Sequence, residues 1–264
     1  MSRIEKKFKE LAARGEKALI SYIMAGDPTL EATEKLIPEL EKGGADLIEL
    51  GIPFSDPLAD GPTIQRAAVR ALNKGVSLRD AIDLVKKVRK VSQVPLIFMS
   101  YYNPIFQYGE ERFVKDAVKA GVDGVIVPDL PPEEAEDLIA HSRKNGLDTI
   151  FLLAPTSNEE RIKKVCRIST GFIYYVSLTG VTGVREGLSR DIGSMVKKIK
   201  SCTKTPVAVG FGISRPKQAK EISYLADGVI VGSAIVKVIE GNIGKKSMPR
   251  QVSAFVRGIK DGIR

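Results

Sequence analysis

The stretch Leu47-Ile-Glu-Leu-Gly-Ile-Pro-Phe-Ser-Asp-Pro-Leu-Ala-Asp-Gly-Pro-Thr-Ile-Gln-Arg66 begins as a buried strand, passes through a proline-punctuated loop and ends in a helix. It carries two carboxylates in unlike settings. Glu49 stands among Leu47, Ile48 and Leu50. A carboxylate in such company is costly unless it is paired or used, and burial raises its pKa toward the range where it both gives and takes a proton. Asp60 lies beyond Pro53 and Pro57, two rings that restrict where the loop can point it. One dry and one more polar carboxylate is how a site separates acid from base roles. Structural roles stay open for each at this point: Glu49 could pair with a neighbouring Lys or Arg, and Asp60 could cap the helix that opens at Gly61-Pro62.

The same strand-then-helix unit recurs outward from this stretch. Short apolar runs at 18–24, 46–50, 96–99, 124–127, 149–153, 172–176, 207–209 and 228–231 are each followed by a helical pattern. Most are apolar on both faces, as strands of a fully covered parallel sheet must be. Eight such units with right-handed crossovers favour closure into a (β/α)8 TIM barrel of α/β class, and residues 1–264 suit one such domain. An extra helix precedes the first unit. Its Ile4, Phe8 and Leu11 share one face and suit the N-terminal mouth of the barrel.

Function in such barrels gathers at the C-terminal strand ends. After the seventh and eighth runs stand Val209-Gly-Phe-Gly-Ile213 and Val231-Gly-Ser-Ala234. Glycine lets an anion approach the backbone, Ser233 adds a hydroxyl, and a short helix beginning near Ala234 adds partial positive charge, so the pair reads as a phosphate cradle. The polar loop at 178–187 holds Gly180, Gly183, Gly187, Thr179 and Thr182 and reads as a mobile lid. Closure could bring the Thr182 hydroxyl onto Asp60.

Composition excludes several classes. With a single histidine, His141, a Ser-His-Asp triad or a His-rich metal site is not expected, and acid–base work falls to carboxylates, Lys or Tyr. Two cysteines, Cys166 and Cys202, make no disulfide framework and no CxxC site. The net charge of +9 is scattered in Lys pairs without interleaved aromatics, which argues against nucleic acid and suits a small anionic substrate. No run is long and apolar enough for a membrane span, and the charged N-terminus lacks a signal core, so a cytoplasmic protein is expected.

The segment 49–65 closely resembles the signature of the tryptophan synthase α subunit. The likeness extends to Gly26-Asp-Pro28, Tyr101, Asn103, Gly180-Val-Thr-Gly183, Gly210-Phe-Gly212 and Gly232-Ser-Ala234, and so covers essentially the whole chain. The resemblance implies a TIM barrel that cleaves indole-3-glycerol phosphate to indole and glyceraldehyde 3-phosphate. It implies Glu49 and Asp60 as the catalytic pair. Substrate contacts are implied for Tyr22, Tyr101, Tyr174, Thr182, Gly183, Phe211, Gly212, Gly232 and Ser233. Pro53, Asp56 and Asn103 would meet a β subunit in an α2β2 heterotetramer. That partner would carry pyridoxal phosphate, with no cofactor in this chain. The resemblance does not map the lid beyond Gly183, so Arg185 and Arg190 stay unassigned. Three other readings share parts of the pattern: a sugar-phosphate isomerase or epimerase, a non-catalytic scaffolding relative, and a lyase that works without a β partner. Intact Glu49 and Asp60 argue against the second.

Overall fold

The computed structural model describes residues 1–177, 185–210 and 212–264, with the backbone alone for 185–190. Among these residues nine strands form one parallel sheet: β1 (Ala18–Met24), β2 (Leu47–Gly51), β3 (Leu96–Met99), β4 (Gly124–Ile126), β5 (Asp148–Ile150), β6 (Leu152–Leu153), β7 (Ile173–Val176), β8 (Val207–Gly210) and β9 (Gly228–Val231). Their order in space is β5-β4-β3-β2-β1-β9-β8-β7-β6. The two ends, β5 and β6, are neighbours in sequence, separated by Phe151 alone. The run at 149–153 is therefore one stave that changes partner midway. Asp148–Ile150 pairs with β4, Leu152–Leu153 pairs with β7, and the Phe151 carbonyl accepts from Tyr174 N–H at 3.1 Å. Eight staves close the barrel, as the recurrence of eight runs predicts.

Strand alternation sorts side chains into two layers. Inward residues Ala18, Ile20, Leu47, Ile97, Ile126, Ile150, Phe172, Ala208 and Ile230 make an inner core together with Ile4, Phe8 and Leu11 of helix α1 (Arg3–Ala13). Helix α1 thus closes the N-terminal mouth. Its start is fixed by Ser2, whose hydroxyl accepts from Glu5 N–H. Outward residues such as Ile48, Leu50, Phe98, Val209 and Val229 pack under the surrounding helices. With one mouth plugged by apolar side chains, the opposite mouth is left for chemistry. Among the described residues no helix is long and apolar enough to cross a membrane.

Two further helices frame that open mouth. Helix α3 (Pro62–Leu72) begins directly after Asp60 and Gly61, with Pro62 at its first position, where a missing N–H costs nothing. Helix α11 (Ser233–Glu240) begins at the end of β9. Arg66 and Arg70 of α3 both bond Glu240 of α11, and Arg70 also grips Asp27 beyond β1 with two hydrogen bonds of 2.7 and 2.9 Å. These charge-assisted bonds tie the helix that follows Asp60 to the helix that starts at Ser233.

Candidate active site

Tyr22 of β1 and Glu49 of β2 stand opposite one another in the strand register, and both line a cavity of about 880 Å³ at the C-terminal mouth. Glu49 is 1% exposed. Neither carboxyl oxygen has a hydrogen-bond partner among the described residues. No Lys or Arg among the described residues pairs with Glu49. Burial with nothing to offset it pushes the Glu49 carboxyl up to about 8. The group is thus a neutral acid at neutral pH, within one proton transfer of being a base.

Asp60 reaches the same cavity from the loop between β2 and α3. It is held in a different way. The Tyr101 hydroxyl donates to Asp60 Oδ2 at 3.2 Å and accepts from Ala59 N–H at 2.9 Å. The Tyr101 ring in turn packs on Phe54, with centroids 5.3 Å apart. Gln65 Nε2 donates to the Asp60 carbonyl at 2.8 Å, and Asp60 N–H donates to the Pro57 carbonyl at 3.0 Å. Partial burial raises the Asp60 pKa, and the Tyr101 hydrogen bond opposes that rise. The capping reading fails, because Gly61 is the N-cap of α3 and no side chain bonds there.

Tyr174 of β7 shares this cavity with Tyr22, together with Met99, Leu152 and Ile230. Burial holds the phenols of Tyr22 and Tyr174 well above their ordinary range, so both stay neutral. Each phenol lies over a glycine of the next strand. A Cβ built on Gly51 would sit 2.1 Å from Tyr22 Oη, and one on Gly210 would sit 2.6 Å from Tyr174 Oη. The sequence gives no sign that Gly51 seats a tyrosine, and it offers Gly210 only as part of the phosphate loop. Each closes a strand on the inward face.

Gly212, Gly232 and Ser233 line the same cavity, as expected for the phosphate cradle. Gly212 has φ +49°, a backbone setting that disfavours side chains. Gly232 caps α11, and its carbonyl accepts from Ile235 N–H at 2.8 Å, so the amides that precede Ile235 at the helix start face the cavity mouth without a helical acceptor. Thr182, Gly183 and Phe211, with the loop at 178–184, lie outside the described residues, as do the side chains of Arg185 and Arg190. Of the three residues expected at a partner surface, Asp56 and Asn103 are exposed and Pro53 is buried within the chain. Pro53 steers the loop and offers no side chain in this conformation.

Comparison with known proteins gives the family. The family profile described as "Tryptophan synthase alpha chain" matches residues 8–264. The tryptophan synthase alpha chain of Geotalea uraniireducens is 56% identical over 264 residues, covering 100% of this chain and 98% of that one. Among solved structures, tryptophan synthase subunit alpha from Legionella pneumophila superposes with a TM-score of 0.93 at 41% identity, covering 100% of this chain and 98% of that one. A chain of tryptophan synthase from M. tuberculosis, in its aminoacrylate-bound form, gives 0.90 at 35% identity with 100% of both chains covered. The isomerase, epimerase and non-catalytic readings are not carried further.

Proposed function

The chain belongs to the tryptophan synthase alpha chain family, and on that premise we propose that Glu49 and Asp60 divide the proton work of its reaction. The protein is a lyase that cleaves indole-3-glycerol phosphate into indole and glyceraldehyde 3-phosphate. Breaking the bond between indole C3 and the glycerol carbon requires C3 to be protonated first. Glu49, neutral near pH 7, gives that proton. Positive charge then develops toward the ring nitrogen. Asp60, as a carboxylate held by Tyr101, accepts the indole N–H and stabilises the charge. Glu49, now a carboxylate, takes the proton from the adjacent glycerol hydroxyl. The carbon–carbon bond breaks, its electron pair returns to the ring, and the hydroxyl carbon leaves as an aldehyde. Tyr22 and Tyr174 flank the indole ring, and Gly212, Gly232 and Ser233 hold the phosphate.

One observation carries this assignment: a fully buried carboxyl with both oxygens free of partners among the described residues, in one cavity with a hydrogen-bonded second carboxyl. A structural glutamate in such a place would be paired. The test is single-turnover indole release. Glu49→Gln is expected to lose about 10²–10⁴-fold, the usual worth of a positioned proton donor, while still binding an indole-alkyl phosphate. Asp60→Asn is expected to be similarly impaired. Near-wild-type release by either variant refutes its role.

The cleavage needs proton transfers alone, so this chain is assigned no cofactor, and pyridoxal phosphate is assigned to a β subunit in an α2β2 complex. The partner is supported by the exposed segments that carry Asp56 and Asn103. They also present Leu58 at 96% and Phe106 at 60% exposure, an apolar display that suits a protein surface. A single-domain barrel working in the cytoplasm completes the reading.

A further inference from the structure

The substrate is a phosphate ester, and it must enter a cavity that also holds Asp60, the carboxylate of the cleavage assigned above. Neither half of the cradle supplies a cationic side chain: Gly212, Gly232 and Ser233 offer backbone amides and a hydroxyl. Among the described residues lining the cavity there is one Lys or Arg, and it is Arg161. Arg161 stands in the first turn of helix α8 (Glu159–Ile168), which begins beyond β6. Its backbone N–H is taken by the Asn158 cap at 2.9 Å, so the residue's place is fixed. Its guanidinium is partly exposed and makes one ion pair among the described residues, Nη2 to Glu133 Oε2 at 3.2 Å. Glu133 is shared with Lys164 at 3.4 Å, so two cations hold one carboxylate. The pair orients Arg161, and a guanidinium has donors to spare for an incoming phosphate.

We propose that Arg161 is a substrate-capture residue: it draws the phosphate group of the substrate into the cavity. Charge lining a cleft of low dielectric raises the local concentration of an oppositely charged substrate. The contribution is made before the transition state, to binding and not to bond breaking, so it falls on KM. This inference rests on the cleavage reaction assigned to the same cavity.

The test compares wild type, Arg161→Gln and Arg161→Lys as full chains, at low and at high salt. Indole release from indole-3-glycerol phosphate gives kcat and KM. Inhibition constants are measured for an indole-alkyl phosphate and for the matching indole alcohol, which lacks the phosphate. Arg161→Gln is expected to raise KM about tenfold at low salt, the lower end of such steering, and to flatten its salt dependence. Its kcat should hold, and Arg161→Lys should keep most of the wild-type KM. The phosphate inhibitor should weaken in step with the substrate while the alcohol is unaffected. Wild-type cleavage with an unmoved KM in Arg161→Gln overturns the capture role alone. Equal weakening of both inhibitors also overturns it, since a structural role ignores charge. Absence of indole from the wild type would overturn the cleavage reading and this proposal with it.

Discussion

Glu49 holds its proton because nothing around it rewards losing it, and that state has a cost which pH exposes. In the unfolded chain the group ionises near its ordinary value of 4.5, whereas in the folded chain it ionises at about 8. Below the first value both states hold the proton. Between the two, the unfolded chain sheds a proton that the native chain keeps, so stability falls as pH rises, and the loss levels off once the native group ionises as well. Glu49→Gln removes this slope. The variant should therefore match wild type near pH 4 and exceed it by on the order of a few kcal/mol near pH 9, measured by urea melts at each pH. A stability difference that stays constant with pH would show that Glu49 is not held protonated. In activity, kcat/KM should fall on the alkaline side with an apparent pKa near 8, as the acid that protonates C3 is lost. Much of this was legible in sequence, since a Glu between Leu47, Ile48 and Leu50 announces burial. That no cation among the described residues reaches it was not legible, because candidate partners come from other strands and only folding decides which arrive.

The strands and loops show the same division between local and non-local information. Eight apolar runs are written in the chain itself, so the barrel could be read. The partner change at Phe151 could not, because it depends on where β4 and β7 end relative to one stave. The Tyr101 hold on Asp60 spans 41 residues of sequence and left no local trace. The glycines beneath the two tyrosines depend on the register of adjacent strands. Tyr22 lies beside Glu49, and its ring reaches diagonally over Gly51 two residues on. Gly51→Ala should therefore push the Tyr22 ring off its seat. It is expected to cost about 1–3 kcal/mol, the usual penalty of overpacking, and to weaken binding of an indole-alkyl phosphate. Gly258→Ala provides the control. That position lies in helix α12 (Met248–Ile263), is exposed, and has nothing within 4 Å of a built Cβ. Alanine there should be neutral or slightly stabilising by helix propensity. Thermal melts and calorimetric titration of both variants decide the matter, and unchanged ligand affinity in Gly51→Ala would show that Tyr22 does not shape the ring pocket.

At the scale of the molecule, the barrel separates a closed end from a working end, and at the working end the loop between β2 and α3 carries Asp60 on the cavity side and Asp56 on the solvent side. Helix α1 fills the bottom with Ile4, Phe8 and Leu11, so substitutions there should act on stability. At the top, Asp56 and Asp60 are four residues apart on one short, hydrogen-bonded loop. Leu58 N–H donates to the Asp56 carbonyl at 2.9 Å, and Asp60 N–H donates to the Pro57 carbonyl at 3.0 Å. Ser55 Oγ donates to the Asp56 carboxylate at 2.5 Å, leaving that exposed group poised on the outer side of the turn. A second chain seated on Asp56, Leu58 and Phe106 would press on the segment that aims Asp60. Displacing a catalytic group by about 1 Å can cost about 10²-fold, so firm seating of this loop is worth a large rate gain. Adding the β subunit should raise the indole-forming rate by about tenfold or more. Asp56→Ala should lose much of that gain while keeping most of the basal rate, because its carboxylate faces solvent and not the cavity. The measurement is the rate of indole release by wild type and variant, each alone and with saturating β subunit. Equal loss with and without the partner would move Asp56 from coupling to folding or basal chemistry, and an unchanged stimulation would move the docking surface elsewhere on the mouth.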